Sequence, residues 1–452
     1  MTNTLPKIVL NIHKGITGRR ILESLDDLND TQWLSRNQLL SMQQEKLLHL
    51  VDYAYQWVPY YKRIFDMIGL HPKDFHEDIS IISKLPILTK AIIRENWNDL
   101  ITTNLEQRQQ LSKLSTSGST GTPLVFMQNN NFRDYVTAEI QHHMSYAGWK
   151  MGDLTAMIWG ASYKPSLSRK LQAFFLDFVW NRFQINAFNL SDEILAAFTK
   201  RVISKKPHYL YGYATSIYTF AKFIKSGNYP DINFRGIFTT SEMLFPPMRS
   251  LIEETFKSSV FNRYGTVELG GIACECIAHS GFHINAQNNY IEIVDKDTLV
   301  KPGKFGDIIV TNLNNFGMPF IRYNTEDGGS WSSDHDCICG RCAPKLATID
   351  GRLVDTFFTQ DGKKVWSGFA GAGFKCLTHS AIKQFQIVQK SLDKILVRLV
   401  QESNIPQEIL NEIVEVIQNT FGPNVIVDFE FPDQIVPLQS GKHQYAMSEL
   451  NK

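Results

Sequence analysis

Little in this chain is extreme, and what it lacks narrows what it does. Basic and acidic residues balance, 46 Lys and Arg against 45 Asp and Glu, so no field of one sign gathers nucleic acid or an anionic membrane. No apolar run reaches the roughly 18 residues that a membrane-spanning helix needs. The stretch "MTNTLPKIVLNIHKGITGRR" has a short apolar run broken by Asn11 and His13, without a small-residue cleavage signal, and does not read as a secretory leader. Six cysteines in 452 residues are too few for a disulfide framework. Internal repeats and low-complexity tracts are missing as well. These absences predict a soluble, cytoplasmic protein with no nucleic acid and no membrane span among its partners. The length allows two or three domains.

What is present begins with mostly helical patterning over residues 20–110, where "LSRNQLLSMQQEKLLHLVDYAYQWV" spaces its apolar residues by three and four. From 130 to 310, helix-like stretches such as "DEILAAFTKRVISKK" alternate with strand-like runs such as "FRGIFTTS" and "FGDIIVTNL". That alternation predicts an α/β layer architecture. After residue 352 a new unit begins, with β runs "IKQFQIVQ" and "KILVRLV", a helix "PQEILNEIVEVIQNTFG" and a last strand "NVIVDFEF". The expected organisation is a large N-terminal domain, 1–352, and a small α+β domain, 353–452.

"LSTSGSTGTP", residues 114–123, crowds hydroxyls and two glycines between a helix-like stretch and an apolar run. Glycines let backbone N–H groups face an anion at close range, and Ser and Thr add donors to the same cradle. A flexible linker has the same composition. A Walker loop needs Lys directly after its last Gly, and Thr122 and Pro123 stand there instead. "RYGTVELG" holds an aromatic ring and a carboxylate, Tyr264 to stack and Glu268 to hold Mg²⁺, an oxygen-seeking ion. "IRYNTEDGG" carries Asp327, "GR" at 351–352 an arginine before the boundary, and "QSGKHQYA" a lysine, Lys442, with no acid beside it. Each alone is ordinary: a strand turn, a solvated acid, a surface cation.

Their order is not ordinary. With "VPYYKRIF", "LPILTK", "STSGSTGTP", "YGTVELG", "LNNFGMPFIRY", "CICGR" and "IKQFQIVQ", the chain resembles the adenylate-forming superfamily, in the branch of the phenylacetate–CoA ligases and the CapK-like capsular polysaccharide biosynthesis proteins. The resemblance runs from about residue 50 to the end. It implies an AMP-forming ligase using ATP and Mg²⁺. In this resemblance Ser115, Thr116, Ser117, Gly118, Ser119, Thr120, Gly121 and Thr122 form the loop over the β- and γ-phosphates. Ser241, Glu242, Tyr264, Gly265 and Thr266 line the nucleotide, Asp327 takes the ribose and Arg352 the ribose or α-phosphate. Glu268 binds magnesium, and Thr120, Glu268 and Lys442 are the catalytic set, Lys442 swinging in from the small domain for adenylation.

Such an enzyme neutralises ATP oxygens, aligns a carboxylate on the α-phosphate, and hands the acyl group from the adenylate to a thiol or amine. The small domain has "TQDGKKVWSG" where CoA users often carry a Gly-Gly pair, which favours an amine, as in polysaccharide assembly, over coenzyme A. A non-catalytic nucleotide-binding scaffold is the remote alternative, and it would be expected to lose Glu268 or Lys442. Trp159, Tyr163, Tyr211 and Tyr213 fall in segments that border the acyl pocket of relatives. A homodimer is the default among soluble oligomers.

The chain departs from the family pattern three times: Val267 directly precedes Glu268 where a hydroxyl is usual, Glu326 precedes Asp327 where Gly is usual, and Val354 replaces the first Asp of the hinge, leaving Asp355. Finally, "CECIAHSGFH" and "CICGRC" concentrate thiols and imidazoles as tetrahedral zinc requires. Cys274, Cys276, His279, His283, Cys337, Cys339 and Cys342 are all candidates. The positions matching the CapK-like branch are Cys276, His283, Cys337 and Cys339, which implies a structural Zn²⁺.

Overall fold

The computed structural model describes residues 4–116, 123–160, 174–175, 177–334, 336–352, 357–362, 364–365, 373, 376, 379, 381–436 and 445–451. Ser117 to Thr122, Tyr163, the hinge at 353–356 and Lys442 lie outside them, as does the side chain of Arg352.

Strand β1 (Ser112–Ser115) and β2 (Val125–Gln128) form an antiparallel hairpin, Ser115 opposite Val125. The described residues of "LSTSGSTGTP" are the end of β1, Thr116 and Pro123. The stem closes where Thr116 N–H donates to Leu124 O and the Leu124 N–H to Thr116 Oγ1, both at 2.9 Å.

The main sheet joins a parallel and an antiparallel half. Its parallel half contains β3 (Thr155–Ile158), β4 (Arg182–Ile185), β5 (Tyr209–Tyr213), β6 (Gly236–Thr240) and β7 (Val260–Thr266), in the order β4-β3-β5-β6-β7. Residues of β3, β5 and β6 are buried throughout, as parallel strands covered on both faces require. Helices Asp192–Lys205, Ala214–Ser226 and Pro246–Phe256 cover one face, with Phe198, Phe220 and Phe256 at its centre. Helix Asn130–Met144 and the N-terminal helices Thr4–Thr17 and Ile21–Thr31 cover the other.

From β7 the sheet continues antiparallel through β8 (Gly270–Glu275), β9 (Phe282–Ile284), β10 (Asn289–Asp295), β11 (Thr298–Leu299), β12 (Phe305–Asn312), β13 (Tyr323–Trp331) and β14 (Lys345–Arg352), in the order β7-β8-β9-β14-β13-β12-β10-β11. Helix Arg36–Trp57, started by a Ser35–Gln38 capping box, and helix Pro59–Ile68 bury Leu47, Leu50, Val51 and Phe65 against this half.

The C-terminal unit has its own sheet. Strands β15 (Phe357–Phe358) and β16 (Lys364–Val365) form a ribbon. Strands β17 (Ile382–Ser391), β18 (Lys394–Gln401), β19 (Ile426–Glu430) and β20 (Ala446–Ser448) are ordered β19-β18-β17-β20. Helix Gln407–Phe421 buries Ile413, Ile417 and Phe421 over them. This is the expected multi-domain α/β architecture: a large sheet packed by helices and a separate small α+β domain. The final β20, too short to show a pattern of its own, was not expected. Among the described residues no helix is long and apolar enough to cross a membrane.

Candidate active site

Strand order fixes where a ligand fits. From β3 the chain passes to β4 on one side and returns to β5 on the other, so a crevice opens at the carboxyl ends of these strands. Those ends carry Trp159, Tyr213, Ser241 with Glu242, and Tyr264 to Thr266. The Trp159 ring lies 4.5 Å from Tyr213 and 5.6 Å from Tyr211, centroid to centroid.

Tyr264 lies on β7 and Glu268 in the turn from β7 to β8, and both meet β13. The Tyr264 hydroxyl donates to Asp327 Oδ2 at 2.8 Å, and the Tyr323 hydroxyl to Glu268 Oε1 at 2.8 Å. Burial, reinforced by Asp327, pushes the Tyr264 hydroxyl well above its ordinary pKa. Burial and Glu268 do the same to Tyr323. Both phenols are therefore neutral donors across the whole physiological range, and the two carboxylates accept.

Gly265 cannot be replaced in this turn, because a Cβ there would stand 2.4 Å from Gly270 O. Thr266 Oγ1 accepts from Leu269 N–H at 3.2 Å, so the hydroxyl displaced from its usual place beside the glutamate caps the turn. Val267 in that place is 51 % exposed.

Asp327 and Arg352 are register partners across β13 and β14, which sets the two expected ribose residues side by side. Glu326, where relatives have glycine, holds φ 64°, in the left-handed region. It is ion-paired with Lys90 from "LPILTK". Leu88 of the same segment bonds through its N–H to Arg322 O and through its O to Asn324 N–H, each at 2.9 Å. The hairpin is tied in from the other side, Gln128 Nε2 donating to Val267 O at 3.3 Å and Glu268 O at 3.4 Å.

Ser241 also has a left-handed backbone, φ 67°. The Glu242 carboxylate accepts from Thr215 N–H at 2.9 Å and from its hydroxyl, at the first turn of helix Ala214–Ser226, where negative charge meets the helix dipole. Beyond the segment holding Lys442, the Tyr445 ring packs 5.4 Å from Phe245 and 4.9 Å from Phe385. The start of helix Pro246–Phe256 and the residue before β20 thus touch.

A second cluster forms where β8, β9 and the loop before Gly340 converge. The ligand atoms of Cys276, His283, Cys337 and Cys339 all lie within 4.8 Å of one another. Cys276 Sγ is 3.5 Å from Cys337 Sγ, and Cys339 Sγ is 3.3 Å from His283 Nε2. A tetrahedron with Zn–S bonds of about 2.3 Å has edges of about 3.8 Å, so a zinc ion fits with small adjustment. His283 Nδ1 is held by Ala343 O at 3.0 Å, which presents Nε2. Burial lowers the His283 pKa to about 4 and keeps the ring neutral. The other candidates stand apart: Cys274 is fully buried in β8, His279 lies 3.6 Å from Glu275, and Cys342 makes only a 4.0 Å contact with Gly340 O.

Sequence reasoning assigned no role to Lys90, Gln128, Tyr323 or Tyr445. Lys90 and Tyr323 sit inside quoted motifs, which was a signal. Tyr445 shares its segment "QSGKHQYA" with Lys442, whereas Gln128 meets its partners only after folding, and nothing local marks it.

Comparison with known proteins agrees with this geometry. Residues 357–449 match the CapK C-terminal domain family. Protein CapK of Staphylococcus aureus is 24 % identical over 455 residues, covering 99 % of this chain and 98 % of its own. A phenylacetate–coenzyme A ligase of Thermus thermophilus is 25 % identical over 334 residues, 72 % of this chain and 73 % of its own. The fold matches that of 2-hydroxyisobutyryl-CoA ligase, solved with an acyl-adenylate in the postadenylation state, with a TM-score of 0.71 at 18 % identity over 90 % of this chain and 89 % of that one. The chain is thus similar over its full length to CapK and over most of it to the phenylacetate–CoA ligases, its residues 357–449 match the CapK C-terminal domain, and it shares the fold of the acyl-CoA ligases.

Proposed function

We propose that the chain is an ATP-dependent, AMP-forming ligase. A carboxylate oxygen of the substrate acid attacks the α-phosphorus of ATP, the bond to the β-phosphate breaks, and pyrophosphate leaves. The acyl-adenylate then passes its acyl group to an acceptor, and AMP departs. The observation that carries this reading is the double clasp of Tyr264 on Asp327 and Tyr323 on Glu268, 2.8 Å each, beside the parallel-strand crevice and under the hydroxyl-rich hairpin.

In this reading Asp327, with Arg352 in register beside it, takes the ribose hydroxyls, and Tyr264, Gly265 and the Ser241–Glu242 turn flank the base. Glu268 holds Mg²⁺, which neutralises phosphate charge. Ser115 to Thr122 grip the β- and γ-phosphates and Lys442 supplies positive charge at the reacting oxygens. The described residue that supports this last role is Tyr445, three positions on in the sequence, whose ring packs on Phe245 of the large domain. Cys276, His283, Cys337 and Cys339 hold a structural zinc that ties β8 and β9 to the loop before Gly340.

The acceptor we favour is an amine, as in polysaccharide assembly, because the relative matching over the full length is CapK while the Thermus CoA ligase covers 72 % of the chain. Coenzyme A is the second reading, supported by the similarity to that same phenylacetate–coenzyme A ligase. Acid-dependent exchange of labelled pyrophosphate into ATP, across aryl, fatty, amino and uronic acids, tests the first half-reaction. Release of AMP with hydroxylamine, amino sugars or coenzyme A as acceptor tests the second.

A further inference from the structure

Beneath the crevice lies a polar set that the nucleotide chemistry does not use. Arg263 precedes Tyr264 on β7, and alternation turns the two side chains to opposite faces: Tyr264 toward β13, Arg263 toward helix Asn130–Met144. The guanidinium Nε donates to His143 Nδ1 at 2.9 Å, and Nη1 lies 3.4 Å from the Tyr211 hydroxyl. Nη2 stands 4.0 Å from Glu139 Oε2 and makes no hydrogen bond among the described residues. The guanidinium fork is thus engaged through Nε and Nη1 and ion-paired at long range with Glu139, which leaves Nη2 without a close hydrogen-bond acceptor among the described residues, with the side chain 10 % exposed.

The surroundings prepare this opening. Glu139, wholly buried, is already supplied by Gly271 N–H at 2.6 Å, Asn285 Nδ2 at 2.8 Å and Asn288 Nδ2 at 2.5 Å, so it balances the field without claiming the fork. Gly271 has room for no side chain, since a Cβ would come within 2.6 Å of Arg263 Nη2 and 2.9 Å of His143 Cε1. His143 Nε2 is buried with no partner, and so is Gln141 Oε1, in the wall of a small cavity behind Tyr211 bounded by Ile140, Met144 and Met157. A guanidinium whose Nη2 has no close acceptor, and the orphaned Nε2 of the imidazole that its Nε holds, are what a buried ligand oxygen would satisfy. The Tyr211 ring packs at a tilt against Trp159, the residue that follows β3, so an acid whose reacting end stays with the nucleotide at the carboxyl end of β3 would extend toward this set.

Building on the ligase reading above, we propose that Arg263 is a specificity-determining residue, and that the acid adenylated here carries a second carboxylate, received by Arg263 with the Tyr211 hydroxyl and His143. A site of this kind rejects an acid that lacks the second group, because the fork is then left desolvated and unpaired.

The test is pyrophosphate exchange with succinate, glutarate and adipate against butyrate, valerate and hexanoate. The expected result is a kcat/KM at least about 100-fold higher for the best diacid than for its monoacid counterpart. Arg263→Met should lower that ratio at least about tenfold, mainly by raising the diacid KM, and Arg263→Lys should retain part of it. Exchange that favours the monoacids, or an unchanged ratio in soluble Arg263→Met, overturns the proposal and leaves the ligase reading standing. The wild-type preference decides the matter even where the variant does not fold. No exchange with any acid class removes both.

Discussion

The Tyr264 hydroxyl and Asp327 meet at 2.8 Å, joining the last parallel strand to the antiparallel strand that carries the expected ribose carboxylate. One bond thus sets the angle at which Asp327 faces the crevice. Tyr264→Phe keeps the ring and removes the donor. A lost hydrogen bond to a charged acceptor is worth about 1.5–3 kcal/mol, so the KM for ATP should rise roughly 10-fold or more, with kcat less affected. Steady-state exchange kinetics read this directly; a change confined to kcat would show that the bond does not position the nucleotide.

Lys90 and Glu326 define a second prediction. A left-handed non-glycine residue costs about 1–2 kcal/mol, and Glu326 at φ 64° bears that cost while pairing with Lys90. Glu326→Gly relieves the backbone but gives up a partly buried ion pair, so its stability should stay within about 1 kcal/mol of the parent. Lys90→Met should destabilise the parent by about 1 kcal/mol and have almost no effect in the Glu326→Gly background. A double-mutant cycle by denaturant unfolding checks this, and additive effects would refute the pairing.

The Cys276, His283, Cys337 and Cys339 cluster should carry about one zinc per chain after purification without chelator. Stripping the metal should lower Tm by several degrees, and Cys337→Ser should abolish zinc retention while Cys342→Ser leaves it. Elemental analysis and thermal melts are sufficient; a metal content below about half an equivalent would rule out a structural site.

His142 should govern stability in acid. Burial, helped by Arg341, lowers its folded pKa from 6.5 to about 3. The folded state therefore binds the proton less readily than the unfolded chain, and the associated stability is complete above pH 6.5 and falls away as pH drops toward 3. At pH 5 the loss from this group alone is about 2 kcal/mol. Glu139 works the other way: burial raises it from 4.5 to about 7, so its contribution is complete below pH 4.5 and is lost as pH rises toward 7. His142→Asn should flatten the acid limb of a stability profile between pH 6.5 and 4, and an unaltered limb would contradict the assignment.

How far these features could be read in advance depended on the range of the interactions. Alternating strands and helices are local patterns, and the folded chain keeps them from 130 to β7, as it does the β17–β18 hairpin and helix Gln407–Phe421; from β7 to 312 the described residues form strands in succession, where the expected alternation stops. The four ligands gather because two short spacings, Cys-x-Cys in one loop and the run from Cys276 to His283, each bring thiol or imidazole to one turn. The Tyr323–Glu268 clasp was invisible because its partners lie 55 residues apart in the chain and meet only when the sheet forms. Glu242 was expected beside the base, and its carboxylate turned out to accept from the helix start at Thr215, a capping role that composition does not disclose. Arg263 was hidden in plain view, next to the tyrosine that drew attention.

The central claim, that this chain activates a carboxylic acid as its adenylate, is tested most directly by acid-dependent pyrophosphate–ATP exchange on the purified protein, run beside Glu268→Gln and Lys442→Ala. The account predicts exchange with at least one acid, reduced about 100-fold or more in each variant. Exchange absent across a broad acid panel, or undiminished in both variants, would contradict it.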